Sequence, residues 1–141
     1  MSSYALSLLL AVIACVIGGA LGGIALARPA QVLGMAGLAE GEAAPTPLLA
    51  EGRAFGGLLV LSHAGAALYL GYQPGIGAAM AFALALAWFG AALGRAASLL
   101  VDQAGGRFNL GNLVFEVLIG ITLALPFLNP GRLVLRGGMI V

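Results

Sequence analysis

The chain has 141 residues, of which 62% are hydrophobic and 8% are charged, and its formal net charge is +1. A soluble domain usually carries about 25% charged residues, so the composition argues against a soluble fold and predicts an integral membrane protein. The near-neutral net charge provides no basic surface for nucleic acid. A single cysteine excludes an internal disulfide and a cysteine-based metal cluster.

Apolar segments that could cross about 30 Å of hydrocarbon recur along the chain. Helices satisfy their own backbone hydrogen bonds, for which lipid offers no partner, so strands are not expected. The predicted fold is all-α, a single polytopic membrane domain over 1–141 with a short C-terminal tail at 129–141. It is an antiparallel bundle with both termini on the same side, and the predicted transmembrane helices are residues 4–27, 48–72, 75–102 and 110–128.

The first apolar segment ends in "ALA" before Arg28, which is similar to a signal-peptidase site. It lacks a basic n-region, however, and exceeds the usual length of about 7–15 apolar residues, so we expect a retained helix. Further along, "YQPG" at 72–75 predicts a tight antiparallel hairpin. The connection after the first helix predicts a short interfacial helix with the apolar residues Val32, Leu33, Met35 and Leu38.

The scarce charges of the predicted helices converge on the end of the bundle opposite the termini. Arg95 lies about two turns from that end of the third helix, and Glu116 lies about 9 Å inside the fourth. Because a charge in hydrocarbon costs at least about 2.5 kcal/mol, we predict that Arg95 and Glu116 form an ion pair or a hydrogen-bonded network around it. The predicted polar cluster, structural or ligand-binding, comprises Glu51, Arg53, Arg95, Ser98, Asp102, Asn112 and Glu116.

His63 falls near the middle of the membrane, on the same helical face as Gly52 and Gly56. It is therefore expected to point into the bundle. A neutral histidine bonded to a backbone carbonyl or a hydroxyl is one interpretation, and a pigment or haem ligand or a proton relay is the other. The absence of a second histidine excludes bis-histidine haem ligation within the chain, and no metal site is predicted.

Glycines repeat at a spacing of four residues in three of the predicted helices. Such spacing lets helix backbones approach closely in lipid, either within the bundle or at a partner interface. The glycines predicted to pack helices are Gly18, Gly22, Gly52, Gly56, Gly90 and Gly94.

Three motifs occur together in order: "EGRAFGG" at 51–57, "GRAASLLVD" at 94–102 and Phe115–Glu116. With this spacing the chain resembles a family of small bacterial four-helix membrane proteins catalogued as a domain of unknown function. The chain departs from that pattern at Phe55, where a tyrosine or another hydroxylated aromatic is expected. The resemblance implies the architecture and a bacterial inner-membrane location, and it implies no activity.

Orientation follows from the arginines: those of the loops and the tail are evenly divided between the two sides, and Arg53 and Arg95 lie near helix ends on the loop side. The count favours a cytoplasmic location for the two longer loops, which precede the second helix and follow the third. The termini are then periplasmic. Arg28 and Arg107 lie on the loop side, and Arg132 and Arg136 lie on the terminal side.

Several functions fit these features. The first is a non-catalytic accessory or assembly subunit that packs against a larger membrane complex or itself, in contact with membrane lipids. The alternative is a binder or carrier of a lipid, quinone or other hydrophobic molecule that uses the polar cluster. A small proton-coupled exporter fits less well because the first helix has no charge, and an enzyme is disfavoured because no catalytic or phosphate-binding motif is present. No cofactor is predicted, although a bound lipid, quinone or pigment would fit an apolar bundle.

Overall fold

The computed structural model describes residues 2–35, 44–103 and 105–129. Within these residues there is no strand, which confirms the all-α prediction. Four of the helices are long and apolar enough to cross a membrane, as expected for an integral membrane protein. The helices are α1 (Ser3–Ala27), α2 (Pro29–Met35), α3 (Thr46–Tyr72), α4 (Pro74–Val101) and α5 (Arg107–Leu128).

Local sequence signals determine where these helices begin and end. The Ser2 hydroxyl caps α1 by accepting a hydrogen bond from the Ala5 amide at 3.2 Å. α1 ends before Pro29 because a residue that precedes proline is disfavoured in the helical conformation. Pro74 opens α4 immediately after the end of α3, and proline suits the first helical turn because it needs no amide partner there.

The short helix α2 confirms that the connection after α1 is partly helical. It covers Pro29–Met35, whereas Leu38, which was predicted to belong to the same segment, lies outside the described residues. Most of the predicted C-terminal tail, residues 130–141, is likewise outside them.

The four long helices form a ring in the order α1, α3, α4, α5, and each packs against its two neighbours. Every neighbouring pair is antiparallel, so the start of α1 and the end of α5 meet at the same end of the bundle. A hydrogen bond of 3.4 Å from Asn129 Nδ2 to Ser7 Oγ joins them there. The predicted up-and-down topology is therefore present.

Glycines bring α1 and α3 into backbone contact. A Cβ atom on Gly22 would lie 2.8 Å from the Gly56 carbonyl oxygen, and one on Gly56 would lie 2.7 Å from the Gly22 carbonyl oxygen. Neither backbone can move aside easily, so both positions require glycine. Gly52 approaches Pro29 in the same way, with 3.0 Å from its would-be Cβ to the proline Cβ. These contacts confirm the predicted packing role of Gly22, Gly52 and Gly56.

Gly90 and Gly94 do not pack within the bundle, so of the two interpretations of their spacing only a partner interface remains. Both glycines are exposed, and a Cβ atom on either would meet nothing within 4 Å. At about 100° per residue, they lie opposite the face of α4 that carries the buried residues Ala85 and Ala92. The glycine spacing identified a face of α4, but the core lies against the other face.

The core of the bundle is built largely from small side chains. Alanines recur in it because they let helices approach closely where burial of apolar surface drives no association in lipid. Leu123 and Ile119 of α5 supply the larger apolar groups. The core alanines are Ala11, Ala14, Ala66, Ala81, Ala85 and Ala124.

The glycine contact between α1 and α3 generates a stability prediction. We expect Gly56→Ala to lower the free energy of unfolding by about 1–3 kcal/mol, because the added methyl group overlaps the α1 backbone. Gly90→Ala adds the same methyl group where space is open, so it should leave stability unchanged or slightly higher. Unfolding by a denaturing detergent in mild micelles measures both. Equal effects of the two substitutions would contradict the close α1–α3 approach.

Candidate functional site

The predicted ion pair between Arg95 and Glu116 is present and links α4 to α5. Arg95 Nη2 lies 2.6 Å from Glu116 Oε1, and Arg95 Nε lies 3.0 Å from each carboxylate oxygen. The Glu116 side chain is only 6% exposed, whereas that of Arg95 is 31% exposed. Two parallel contacts of this kind fix the angle between guanidinium and carboxylate as well as their distance.

Asn109 completes the surroundings of this pair. Arg95 Nη1 donates a hydrogen bond of 2.9 Å to Asn109 Oδ1. Asn109, Asn112 and Glu116 lie on one stripe of α5, at positions i, i+3 and i+7. Asn109 was not among the residues of the predicted polar cluster. Glu116 is nine residues beyond the start of α5, about 13 Å along the helix, so the pair lies well inside the membrane span.

Four other residues of the predicted polar cluster do not join the ion pair. Glu51 and Asp102 are exposed, and Ser98 and Asn112 are half-buried. Within the part of the chain that the structure describes, none of these four side chains makes a hydrogen bond or an ion pair. Asp102 ends α4, where its backbone amide bonds to the Ser98 carbonyl at 3.0 Å.

Arg53 contacts α1, and not the Arg95–Glu116 pair. Its Nη1 donates a hydrogen bond of 2.7 Å to the Leu26 carbonyl, which belongs to the last turn of α1 and has no partner within the helix. A cation near a helix C-terminus also interacts favourably with the helix dipole. The residues of the predicted polar cluster therefore do not share one hydrogen-bonded network, because Arg53 contacts α1 while the ion pair joins α4 and α5.

His63 is fully buried and has a partner on each ring nitrogen. The Trp88 indole Nε1 donates to His63 Nε2 at 3.1 Å, and His63 Nδ1 lies 2.8 Å from the Leu59 carbonyl oxygen. Since an indole can only donate, Nε2 must accept, and Nδ1 therefore carries the proton that it donates to Leu59. This geometry matches the neutral, hydrogen-bonded histidine. A pigment or haem could reach a ring nitrogen only by breaking one of these two bonds.

His63 and Trp88 belong to a layer in which all four long helices meet. A Cβ on Gly18 of α1 would overlap the His63 ring, so the glycine makes room for the imidazole. On the other side, the Trp88 ring meets Phe115 of α5 edge to face, with 5.8 Å between ring centroids. The sequence did not pair Trp88 with His63, because helical periodicity gives no relative depth of two helices.

The polar groups inside the bundle are satisfied by one another. Among the described residues, every buried side-chain nitrogen and oxygen has a hydrogen-bond partner. The same residues contain no group of three or more His, Cys, Asp or Glu side chains that could hold a metal ion. The interior arrangement therefore fixes helices relative to one another.

The Arg95–Glu116 pair generates a double-mutant prediction. We expect Arg95→Met and Glu116→Gln each to lower the free energy of unfolding by about 2–3 kcal/mol, since each leaves one buried polar partner unmatched. The double variant should lose less than the sum of the two, because no unpaired charge remains. Asp102→Asn, at an exposed acid outside the pair, serves as the control and should change stability by no more than about 0.5 kcal/mol. Strict additivity of the two substitutions would contradict the pairing.

The fluorescence of Trp88, the one tryptophan in the chain, reports on the layer around His63. Gly18→Ala should displace the His63 ring and weaken its bond to the indole, which changes the emission maximum and lowers thermal stability. Gly23→Ala, on the same helix, adds its methyl group to open space and should change neither. Fluorescence spectra and thermal unfolding in detergent micelles measure both variants. An unchanged spectrum for Gly18→Ala would show that α1 does not confine the imidazole.

Comparison with known proteins finds one matching family model. Residues 5–126 match the family described as "Domain of unknown function (DUF4345)". No curated protein and no solved structure matches the chain. The matched region contains the ion pair, the His63 layer and the glycine contact between α1 and α3. Because the match extends over most of its length, the chain belongs to this family of unknown function.

Proposed function

We propose that the protein is a non-catalytic membrane protein that acts as a small accessory or assembly subunit, packing against a larger membrane complex or against another copy of itself. The observation that carries this proposal is the outer face of α4. This face is lined by small exposed residues over most of the helix, namely Ala79, Ala83, Ala87, Gly90, Gly94 and Ala97.

Two properties of this face support helix packing. Its residues recur at spacings of three and four, so they form one continuous stripe within about 80° of the helix circumference. Gly90 and Gly94 have open space where a side chain would stand, which allows the backbone of another helix to approach. The opposite side of α4 already packs within the bundle, so the stripe is free to meet a partner.

The satisfied interior supports a non-catalytic role. Arg95 and Glu116 neutralise each other, and both nitrogens of His63 are engaged. Both oxygens of the Glu116 carboxylate accept hydrogen bonds from Arg95, so neither oxygen is left open towards a substrate. This also argues against a proton-coupled exporter.

A second candidate function is a binder or carrier of a lipid, quinone or other hydrophobic molecule. It is favoured by the 31% exposure of the Arg95 side chain, which leaves part of the guanidinium accessible to a polar head group. The Glu116→Gln variant addresses it as well. A carrier would lose its co-purifying ligand while the fold survives, whereas a purely structural pair would lose stability without any change in bound ligand.

The proposed location is the bacterial inner membrane, with periplasmic termini. The family resemblance and the bacterial membrane architecture that it implies support the location. The loop-side arginines Arg28 and Arg107 support the orientation, because basic residues next to membrane spans favour the cytoplasmic side.

The accessory-subunit proposal is tested by site-specific photo-crosslinking in native membranes. A photoreactive amino acid at Ala87, in the small-residue stripe, should form a protein adduct with a second copy or another subunit. The same amino acid at Val16, which is 63% exposed near the middle of α1, is the control and should react with lipid alone. Gly90→Leu should abolish the Ala87 adduct, because the larger side chain prevents close approach. Equal crosslinking from Ala87 and Val16, or none from either, would refute the proposal.

A further inference from the structure

A groove of about 360 Å³ lies on the outside of the bundle, where α1 ends and α2 begins. It belongs neither to the Arg95–Glu116 pair nor to the small-residue stripe of α4. Its volume is within the range of about 300–1,000 Å³ found for small-molecule sites. The groove is lined by Ala20, Gly23, Ile24, Ala27, Arg28 and Gln31.

The sequence produces this groove in two ways. Arg28 has φ −133° and ψ 61°, which is outside the helical region, so α2 does not continue the axis of α1. Ala20, Gly23 and Ala27 lie at i, i+3 and i+7 on the outer face of α1, and a Cβ atom on Gly23 would meet nothing within 4 Å. Small side chains thus make the floor of a trough that ends at the start of α2.

The groove has a polar end and an apolar end. Arg28 and Gln31 are both exposed at the α2 end, while the remaining lining residues are apolar. Unlike Arg53 and Arg95, the Arg28 side chain makes no hydrogen bond or ion pair with the residues that the structure describes. Arg28 caps a helix of 25 residues, about 37 Å long, which exceeds the hydrocarbon thickness and places Arg28 among the lipid head groups.

These features are complementary to a phospholipid with an anionic head group. A guanidinium presents parallel N–H donors that match the oxygens of a phosphate, and the Gln31 amide adds a further donor. The apolar trough runs from this polar end into the hydrocarbon, as an acyl chain does. A transmembrane helix of another protein fits less well, because it would have to pass an unpaired arginine at the end of the trough.

We propose that this groove binds one anionic phospholipid. Arg28 and Gln31 bind the head-group phosphate, and the acyl chain lies along Ala20, Gly23 and Ala27. This proposal is independent of the accessory-subunit function, since the groove is on α1 and α2 and the small-residue stripe is on α4.

Native mass spectrometry tests the proposal directly. The full chain is reconstituted into nanodiscs that contain equal amounts of phosphatidylcholine and phosphatidylglycerol, and the lipid retained on release is identified. We expect one phosphatidylglycerol to be retained in preference to phosphatidylcholine. Arg28→Gln should lower the retained phosphatidylglycerol about fivefold, the effect of one basic residue at an anionic membrane surface. Gly23→Leu should have a similar effect because its side chain fills the trough.

Two matched controls distinguish loss of this site from the effect of removing any surface arginine or replacing any exposed glycine. Arg107→Gln removes an exposed arginine from the same end of the bundle, and Gly90→Leu enlarges another glycine that has open space around it. Neither should change lipid retention. Thermal unfolding shows whether each variant is folded, and Arg28→Gln decides the outcome even if Gly23→Leu is unstable.

Three outcomes would overturn the proposal. The first is equal retention of phosphatidylcholine and phosphatidylglycerol by the unaltered chain. The second is retention that Arg28→Gln leaves intact or that Arg107→Gln lowers as much. The third is a change of oligomeric state in Gly23→Leu without a change in bound lipid, which would identify the groove as a contact between copies of the chain.

Discussion

The structure depends on one constraint, namely that the hydrocarbon of a bilayer offers no hydrogen-bond partner to a polar side chain. Each polar side chain that is buried inside the spans must therefore be satisfied by another part of the protein, and among the described residues every buried side-chain nitrogen and oxygen has a partner. Arg95 has Glu116 and Asn109, and His63 has Trp88 and the Leu59 carbonyl. Thr122 turns its hydroxyl back to the Leu118 carbonyl, one turn earlier on its own helix. The polar residues are few, and the required partners determine which helices must be neighbours and at what depth.

Each half of the bundle, α1 with α3 and α4 with α5, is held together by a different kind of contact. α1 and α3 are joined by shape, since Gly22 and Gly56 allow backbone contact and Arg53 caps the end of α1. α4 and α5 are joined by charge, through a half-buried arginine and a buried glutamate. The His63–Trp88 bond then connects α3 to α4 across the middle. The motif "EGRAFGG" belongs to the contact between α1 and α3, in which Gly56 packs against α1 and Arg53 caps its end.

The sequence was sufficient for the spans, the antiparallel topology and the Arg95–Glu116 pair. Spans follow from hydropathy and length, and the pair follows from depth together with the cost of an isolated charge in lipid. Sequence reasoning failed where the answer depended on which helices are neighbours. Periodicity places Gly90 and Gly94 on one face of α4, but it does not say whether that face meets the core or lipid. Likewise, depth along the helix places Arg53 in the same polar cluster as the ion pair, although in the ring of helices its side chain contacts α1. The pairing of His63 with Trp88 required the relative depth of α3 and α4, which no spacing within either helix contains.

The ion pair also has a consequence for the way the protein enters the membrane during synthesis. Arg95 precedes Glu116 by 21 residues, so α4 is complete before its neutralising partner has been made. An arginine inside a lone span is unfavourable by at least about 2.5 kcal/mol on insertion scales. This insertion free energy is offset once Glu116 of α5 lies beside Arg95. Entry of α4 and α5 together, as one hairpin, is therefore favoured. α1 carries no charge within its span and has no such requirement, so it can enter the bilayer alone and serve as the surface on which the later helices assemble.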